Sequence, residues 1–494
     1  MAGSTCNIPE SLSVDSKRLL RRGLTMKRNL KNLCVAALSV LALVGCGGES
    51  TPADKTSGST TEKTGNVINI WCWNNEFQTN FNKFYPEVKS VDGTTTTLKS
   101  GKQVRFIIHA NKNNGYQIPL DAALEAQSKK VDDEKIDMFL LEADYALKYV
   151  DTDYTLDVKK DIGLTDDDLS QMYGYTKTIA TDSKGALKGV SWQATPGLYA
   201  YRTDLAEKVY GEGEATPEKM QARLSDWAKF DTAAAAAKAK GVKMVSGYDD
   251  MYRVFSNNAT TSWVDSNGKV TMDNQIKDWI RKEKTYVDQG MSGKTVLWSE
   301  DWAHDQGPDG NVMGFFYSTW GINFTLLGNA KADSNGKDEV GNGLFGKYRV
   351  VEGPAAYYWG GTWMAGCKGS DNIPEIKDIM LRLTCDSTIA EKITRETQDY
   401  TNNKAAMNKL AADESYGSAF LGGQNHVKLF AKTADNIKLA AMSGYDQGCN
   451  EQLQNAMHDY FAGTVTYDKA YENFKKSLTA LYPEVTYNDA ANQL

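Results

Sequence analysis

Histidine is scarce: only His109, His304, His426 and His458 occur in 494 residues, and no two stand at the short spacings that zinc sites use. No metal and no other cofactor is expected. Cysteine is scarce as well, and Cys72, Cys367, Cys385 and Cys449 fall into no metal-ligand spacing and no legible disulfide framework. The G-x-S-x-G nucleophile elbow is missing, and no stretch carries the eightfold strand–helix rhythm of a catalytic barrel or the repeated modules of a display protein. Basic charge is also in deficit, with 56 Lys and Arg against 63 Asp and Glu, a net charge of −7. An acidic surface repels nucleic acid, anionic lipid and polyanionic sugar before contact, so a neutral or cationic ligand fits better.

What is present begins with an address. Lys27, Arg28 and Lys31 precede an apolar run of about a dozen residues, too short to stay in a bilayer as a spanning helix, that closes on Leu43-Val44-Gly45-Cys46. This resembles a bacterial lipoprotein signal over residues 1–45, with Met26 as its natural start and Cys46 as the lipidated mature N-terminus. Removing that leader removes seven basic and two acidic residues and takes the net charge from −7 to −12. Residues 46–66 are Gly, Ser, Thr, Glu and Lys without apolar periodicity, the composition of a flexible tether. A body held outside the membrane by lipid works on something outside the cell; cytosolic metabolism is excluded.

The remaining chain, about 430 residues, exceeds what one hydrophobic core sustains, so two lobes are expected. Strand-like runs alternate with helical periods from residue 67, the mark of an α/β sheet with crossover helices. Residues 67–73 read as a strand, followed by Phe77, Phe81, Phe84 and Tyr85 at helical spacing and a stop at Pro86. Residues 104–110 and 136–141 repeat the strand signal, and together these predict one parallel sheet. Pro196-Gly197 and Gly353-Pro354 break the chain before two further apolar runs. Leu453, Met457, Tyr460 and Phe461, then Ala470, Phe474, Leu478 and Leu481 after Gly463, form two apolar helix stripes.

The segments INIWCWNNEF (68–77), DMFLLEADY (137–145), GVSWQATPGLYAYRTDL (189–205), VMGFFYSTW (312–320) and GGTWMA (360–365) are individually weak, but they follow one another in a telling order. In that order, behind a lipobox and a tether, the chain resembles the extracellular solute-binding proteins of ABC transporters, the carbohydrate binders of maltose-binding type among them. The resemblance implies a two-lobed periplasmic-binding-protein fold of type II, closing on its ligand about hinge crossings. Lobe one would comprise 67–193 and 356–407, lobe two 198–351 and 412–494, with crossings near Ala194, Gly353 and Lys409. It further implies a monomer that carries a neutral sugar or oligosaccharide to a membrane permease.

In open α/β sheets ligands sit beyond the carboxyl ends of strands. There the sequence offers Trp73, Asn75 and Glu76, amide and carboxylate groups suited to adjacent hydroxyls. Asp144 falls where the maltose binders place a sugar-binding acid, although Tyr145 replaces their basic residue. Trp320 stands where related binders stack an indole on a sugar face. Trp359 precedes the Gly360-Gly361 pair, and Tyr248, Asp249, Tyr445 and Asp446 stand where the family's second lobe supplies contacts. Helix capping by Asn75, Glu76 or Asp144 and core burial of Trp320 are the structural alternatives. Trp298, Glu300, Asp301 and Trp302 combine stacking and carboxylate chemistry; pocket and surface loop both stay open for them. A peptide or polyamine carrier, an adhesin and an extracellular glycosidase are the competing functions. The last would need two carboxylates across a cleft.

Overall fold

A computed structural model describes residues 65–439 and 442–494. The signal, Cys46 and the tether through residue 64 lie outside the described residues. The strands in chain order are β1 (Val67–Cys72), β2 (Val88–Asp92), β3 (Thr95–Leu98), β4 (Gln103–Ile108), β5 (Met138–Glu142), β6 (Val190–Ser191) and β7 (Gly197–Arg202). There follow β8 (Val245–Gly247), β9 (Lys269–Val270), β10 (Ser292–Thr295), β11 (Gly314–Ser318), β12 (Tyr348–Val351), β13 (Thr362–Gly366) and β14 (Thr486–Tyr487).

The first lobe is built on a seven-stranded sheet of order β2-β3-β4-β1-β5-β13-β6. Its centre, β4-β1-β5, is parallel; β1 and β5 are buried almost throughout, whereas β4 alternates exposed and buried residues and is covered on one face only. The first helix, Glu76–Phe84, buries Phe77, Phe81 and Phe84 at i, i+4 and i+7 against the sheet. Each large apolar side chain so buried is worth about 1.5–3 kcal/mol. The expectation of a purely parallel sheet needs correction at both ends. The β2–β3 hairpin, turning at Gly93 with φ 55°, adds antiparallel strands at one edge. At the other, β13 pairs antiparallel with both β5 and β6, since the chain re-enters this lobe from the opposite side.

The second lobe centres on the antiparallel sheet β11-β7-β12, with the parallel pair β10-β8 alongside. Helices Asp446–Phe461 and Tyr467–Leu481 pack on one another and bury Leu453, Met457, Phe461, Ala470, Phe474 and Leu478. Tyr460 and Leu481 are only partly covered, and Asp446 opens the first of these helices.

Three stretches run side by side between the sheets. Ala194 N–H donates to Tyr400 O (3.0 Å), Gly197 N–H to Tyr357 O (2.7 Å) and Trp359 N–H to Thr195 O (3.0 Å). Gly197 is obligatory here, because a Cβ would stand 2.0 Å from the Tyr357 ring. Lys409 lies inside the helix Lys404–Ala411, and residues 399–401 form the third stretch. Among the described residues no helix is long and apolar enough to cross a membrane. Cys72, Cys367, Cys385 and Cys449 are all unpaired.

Candidate ligand site

The loop after β1 turns on Asn74, whose Oδ1 accepts the Glu76 N–H at 3.0 Å, and leaves Asn75 exposed without a side-chain capping bond. Glu76 heads the helix with its carboxylate turned toward the crossings. There Gln193 Nε2 donates to Asp399 Oδ2 at 2.8 Å and to Glu76 Oε1 at 3.5 Å. The Thr319 hydroxyl and the Tyr400 N–H donate to the other oxygen of Asp399. This relay joins the first lobe, two crossings and the residue next to Trp320. Burial, then the charge of Asp399, pushes Glu76 up to about 8; burial raises Asp399 too.

The loop after β5 holds a second group. Asp144 takes a bidentate pair from Arg253, Nη1 to Oδ1 at 2.8 Å and Nη2 to Oδ2 at 2.6 Å, while its own N–H donates to Glu142 Oε2 at 2.8 Å. Arg253 belongs to the helix Tyr252–Ser256 beyond β8, so this ion pair joins the two lobes. Burial alone would raise the Asp144 pKa, but the charge and hydrogen bonds of Arg253 outweigh it and hold it low. Glu142 lacks such a partner, and burial followed by the charge of Asp144 lifts it to about 8.

Trp320 lies two residues past β11, on the short helix Thr319–Gly321, half-buried, and donates its Nε1–H to Trp359 O at 2.8 Å. The two indoles meet edge to face at 5.3 Å, and Trp359 in turn stacks on Tyr317 at 5.9 Å and carries the Arg253 guanidinium 5.5 Å from its ring centre. Gly360, at φ 70°, makes the approach possible: a Cβ there would stand 3.2 Å from Trp320 Nε1 and 3.5 Å from Glu142 Oε1. Trp73 meets Tyr116 and Tyr145 edge to face at 5.6 and 6.3 Å. Tyr145, Asp144 and Tyr445 share the wall of a cavity of about 160 Å³ with Gln117, Lys148 and Glu451. Asp446 and Asp144 line a smaller one, about 70 Å³, with Arg253 and Tyr358.

Residues 110–378, more than half of the chain, match the family model of the bacterial extracellular solute-binding proteins. The chain belongs to that family. The binding protein is therefore a carrier of solute and not an enzyme, which removes the glycosidase alternative. Curated protein sequences give no significant match. Among solved structures it is similar to an extracellular solute-binding protein of family 1, with a TM-score of 0.66 at 16% identity over 83% of this chain and 99% of that one. It is also similar to the binding protein associated with an ABC transporter of B. animalis subsp. lactis, solved with beta-1,6-galactobiose (TM-score 0.60, 16% identity, 85% and 99% covered). A third is the GacH receptor of Streptomyces glaucescens, solved unliganded and with acarbose (TM-score 0.58, 15% identity, 85% and 99% covered). At such identities the likeness concerns the fold, and the α/β two-lobed class expected from the sequence is the fold they share.

Of the candidates in this solute-binding protein, Trp73, Glu76, Asp144, Trp320, Trp359, Tyr445 and Asp446 gather around the crossings and the adjoining cavities, with Asn75 on the same loop as Glu76. Tyr248 and Asp249 do not. Tyr248 stacks on His458 at 5.2 Å, and His458 Nε2 lies 2.9 Å from both Asp249 oxygens. His458 sits twelve residues beyond Asp446 on one helix, about 18 Å along its axis. The pair therefore fastens a loop to the far end of that helix. Sequence reasoning did not single out Arg253, Gln193 or Asp399. The contacts that join them to Asp144 and Glu76, and Gln193 to Asp399, span more than a hundred residues, and no local spacing marks them.

Proposed function

We propose that this protein captures a neutral sugar or oligosaccharide between its lobes and presents it to the permease of an ABC importer. The observation that carries this reading is the meeting of Trp320 and Glu142 across Gly360. The Nε1 edge of a half-buried indole and a carboxyl group come together there, the carboxyl raised to about 8 and so able both to donate and to accept, with Asp144 beside it. Sugars combine an apolar C–H face with a hydroxyl edge, so an indole and carboxylates on adjoining walls complement them. The likeness to structures solved with beta-1,6-galactobiose and acarbose supports the same class of ligand.

In this reading the lobes are 67–193 with 356–407 and 198–351 with 412–494, turning about the hydrogen-bonded crossings. A ligand that touches both walls only in the closed form shifts the equilibrium toward closure. Lipid on Cys46 and the tether through residue 66 hold the monomer on the outer face of the membrane near its permease, raising the effective concentration there.

A thermal-shift screen of the mature protein against neutral oligosaccharides tests this, because a ligand bound only by the folded state raises the melting temperature. At least one glycan should do so. Silence from every glycan alongside a response to a polyamine or peptide would replace the sugar with that solute.

A further inference from the structure

Trp298 is absorbed by none of the contacts so far assigned to the ligand. It is 57% exposed, and its backbone lies at φ 69°. Among the described residues the other non-glycine residues at positive φ are Asn114 and Gln398. A bulky side chain in that region is strained, and such strain survives only where the surroundings impose it, typically at ligand clamps.

The surroundings do impose it. On one side Thr295 is pinned by its hydroxyl to Ser246 Oγ at 2.7 Å and by its carbonyl to the Tyr248 N–H at 3.1 Å. On the other, Ser299 caps the helix Glu300–Asp305, and the buried Trp302 donates its Nε1–H to Asp250 at 3.0 Å. The loop between is closed by Ser299 N–H on Val296 O at 3.1 Å. A rigid loop thus holds one large indole out toward solvent.

Its direction is specific. The Trp298 ring lies nearly parallel to Trp320, 16° between planes and 6.2 Å between centroids, and tilted on Trp359 at 5.9 Å. Ring centres 6.2 Å apart leave too little room for a sugar ring between the indoles, so the pair presents a joint aromatic surface instead of sandwiching a ligand. That surface is wider than Trp320 alone offers.

We infer that Trp298 forms a second stacking subsite next to Trp320, so that the ligand is an oligosaccharide of at least two rings and Trp298 is what favours it over a monosaccharide. This rests on the sugar reading above. The test is calorimetric titration of the wild type, Trp298→Ala, Trp298→Gly and Trp320→Ala with one- to five-unit oligomers of whichever neutral sugar gives the largest thermal shift. Both Trp298 variants should bind oligomers of two or more units about tenfold more weakly and leave the monosaccharide within about twofold. Both variants should keep the fold by circular dichroism, with Trp298→Gly no less stable than Trp298→Ala because glycine carries no penalty at φ 69°. Trp298→Ala binding every length as the wild type does, while Trp320→Ala weakens them all, overturns the subsite and leaves the sugar reading standing. Equal loss at every length, monosaccharide included, also overturns it. A wild type that binds no member of the ladder or of the wider screen removes the sugar reading and the subsite with it.

Discussion

The end of β5 and the segments after β1 and β5 carry acids, Glu142, Glu76 and Asp144, whereas the segments after β10 and β11 carry indoles, Trp298 and Trp320. Both sets stand at the carboxyl ends of strands, so topology alone does not separate them. Their anchoring does. On the first lobe the acids are immersed in polar relays, Glu76 with Gln193 and Asp399, Asp144 with Arg253. On the second, the rings lean on one another and on Trp359, and Trp298 keeps most of its surface free. In the proposed function an acceptor wall held by hydrogen bonds would select hydroxyl geometry, and a stacking wall held by packing would supply contact area at small entropic cost.

The comparison breaks most readily on its aromatic side. Trp320→Ala should cost about 2–4 kcal/mol of ligand affinity, as expected for a central aromatic anchor, with the fold intact by circular dichroism. On the acidic side the signature is pH. Glu76 ionises near 4.5 in an ordinary setting and is held up to about 8 here, so the folded state binds more protons between those values. Stability therefore declines as pH rises from about 4.5 to 8 and is level above. Glu76→Gln should lessen that decline and gain stability relative to the wild type between about pH 4.5 and pH 8.5, measured by urea denaturation at both pH values. Part of the slope should persist, because Glu142 is raised in the same direction.

The link between the walls gives a smaller effect. Arg253→Met leaves Asp144 unpaired in a half-buried place, and a double-mutant cycle with Asp144→Asn should return a coupling of about 1 kcal/mol in stability. Smallest of all is the region outside the cleft. His458→Ala loosens Tyr248 and Asp249 and should lower the melting temperature while leaving ligand affinity within about 0.5 kcal/mol.

How much of this was legible in the chain follows the reach of each signal. Phe77, Phe81 and Phe84 repeat at helical spacing and placed their helix correctly after β1. The Pro196-Gly197 break falls just where β7 begins, and Gly197 is where Tyr357 leaves no room for a Cβ. The β2–β3 hairpin escaped because β2 is largely exposed and polar, lacking the apolar run that marked its neighbours. Trp320 stood out as the close of an apolar run, and the structure places it just past β11, on the short helix Thr319–Gly321. Arg253 was not, because its partner Asp144 is 109 residues away and only the folded chain pairs them. Trp298 was visible as a tryptophan, but the φ that turns its ring outward belongs to a loop pinned by Thr295 and Trp302. Local periodicity reaches one turn or one strand; a site built across lobes lies beyond it.

The most direct test is to titrate the best-responding neutral oligosaccharide calorimetrically into the wild type, Trp320→Ala and Glu76→Gln in parallel. Saturable one-site binding, weakened by each change, is the predicted result, for then one ligand touches both walls. Sugar binding that survives both changes, or heat from a polyamine or peptide where no glycan gives any, would contradict it.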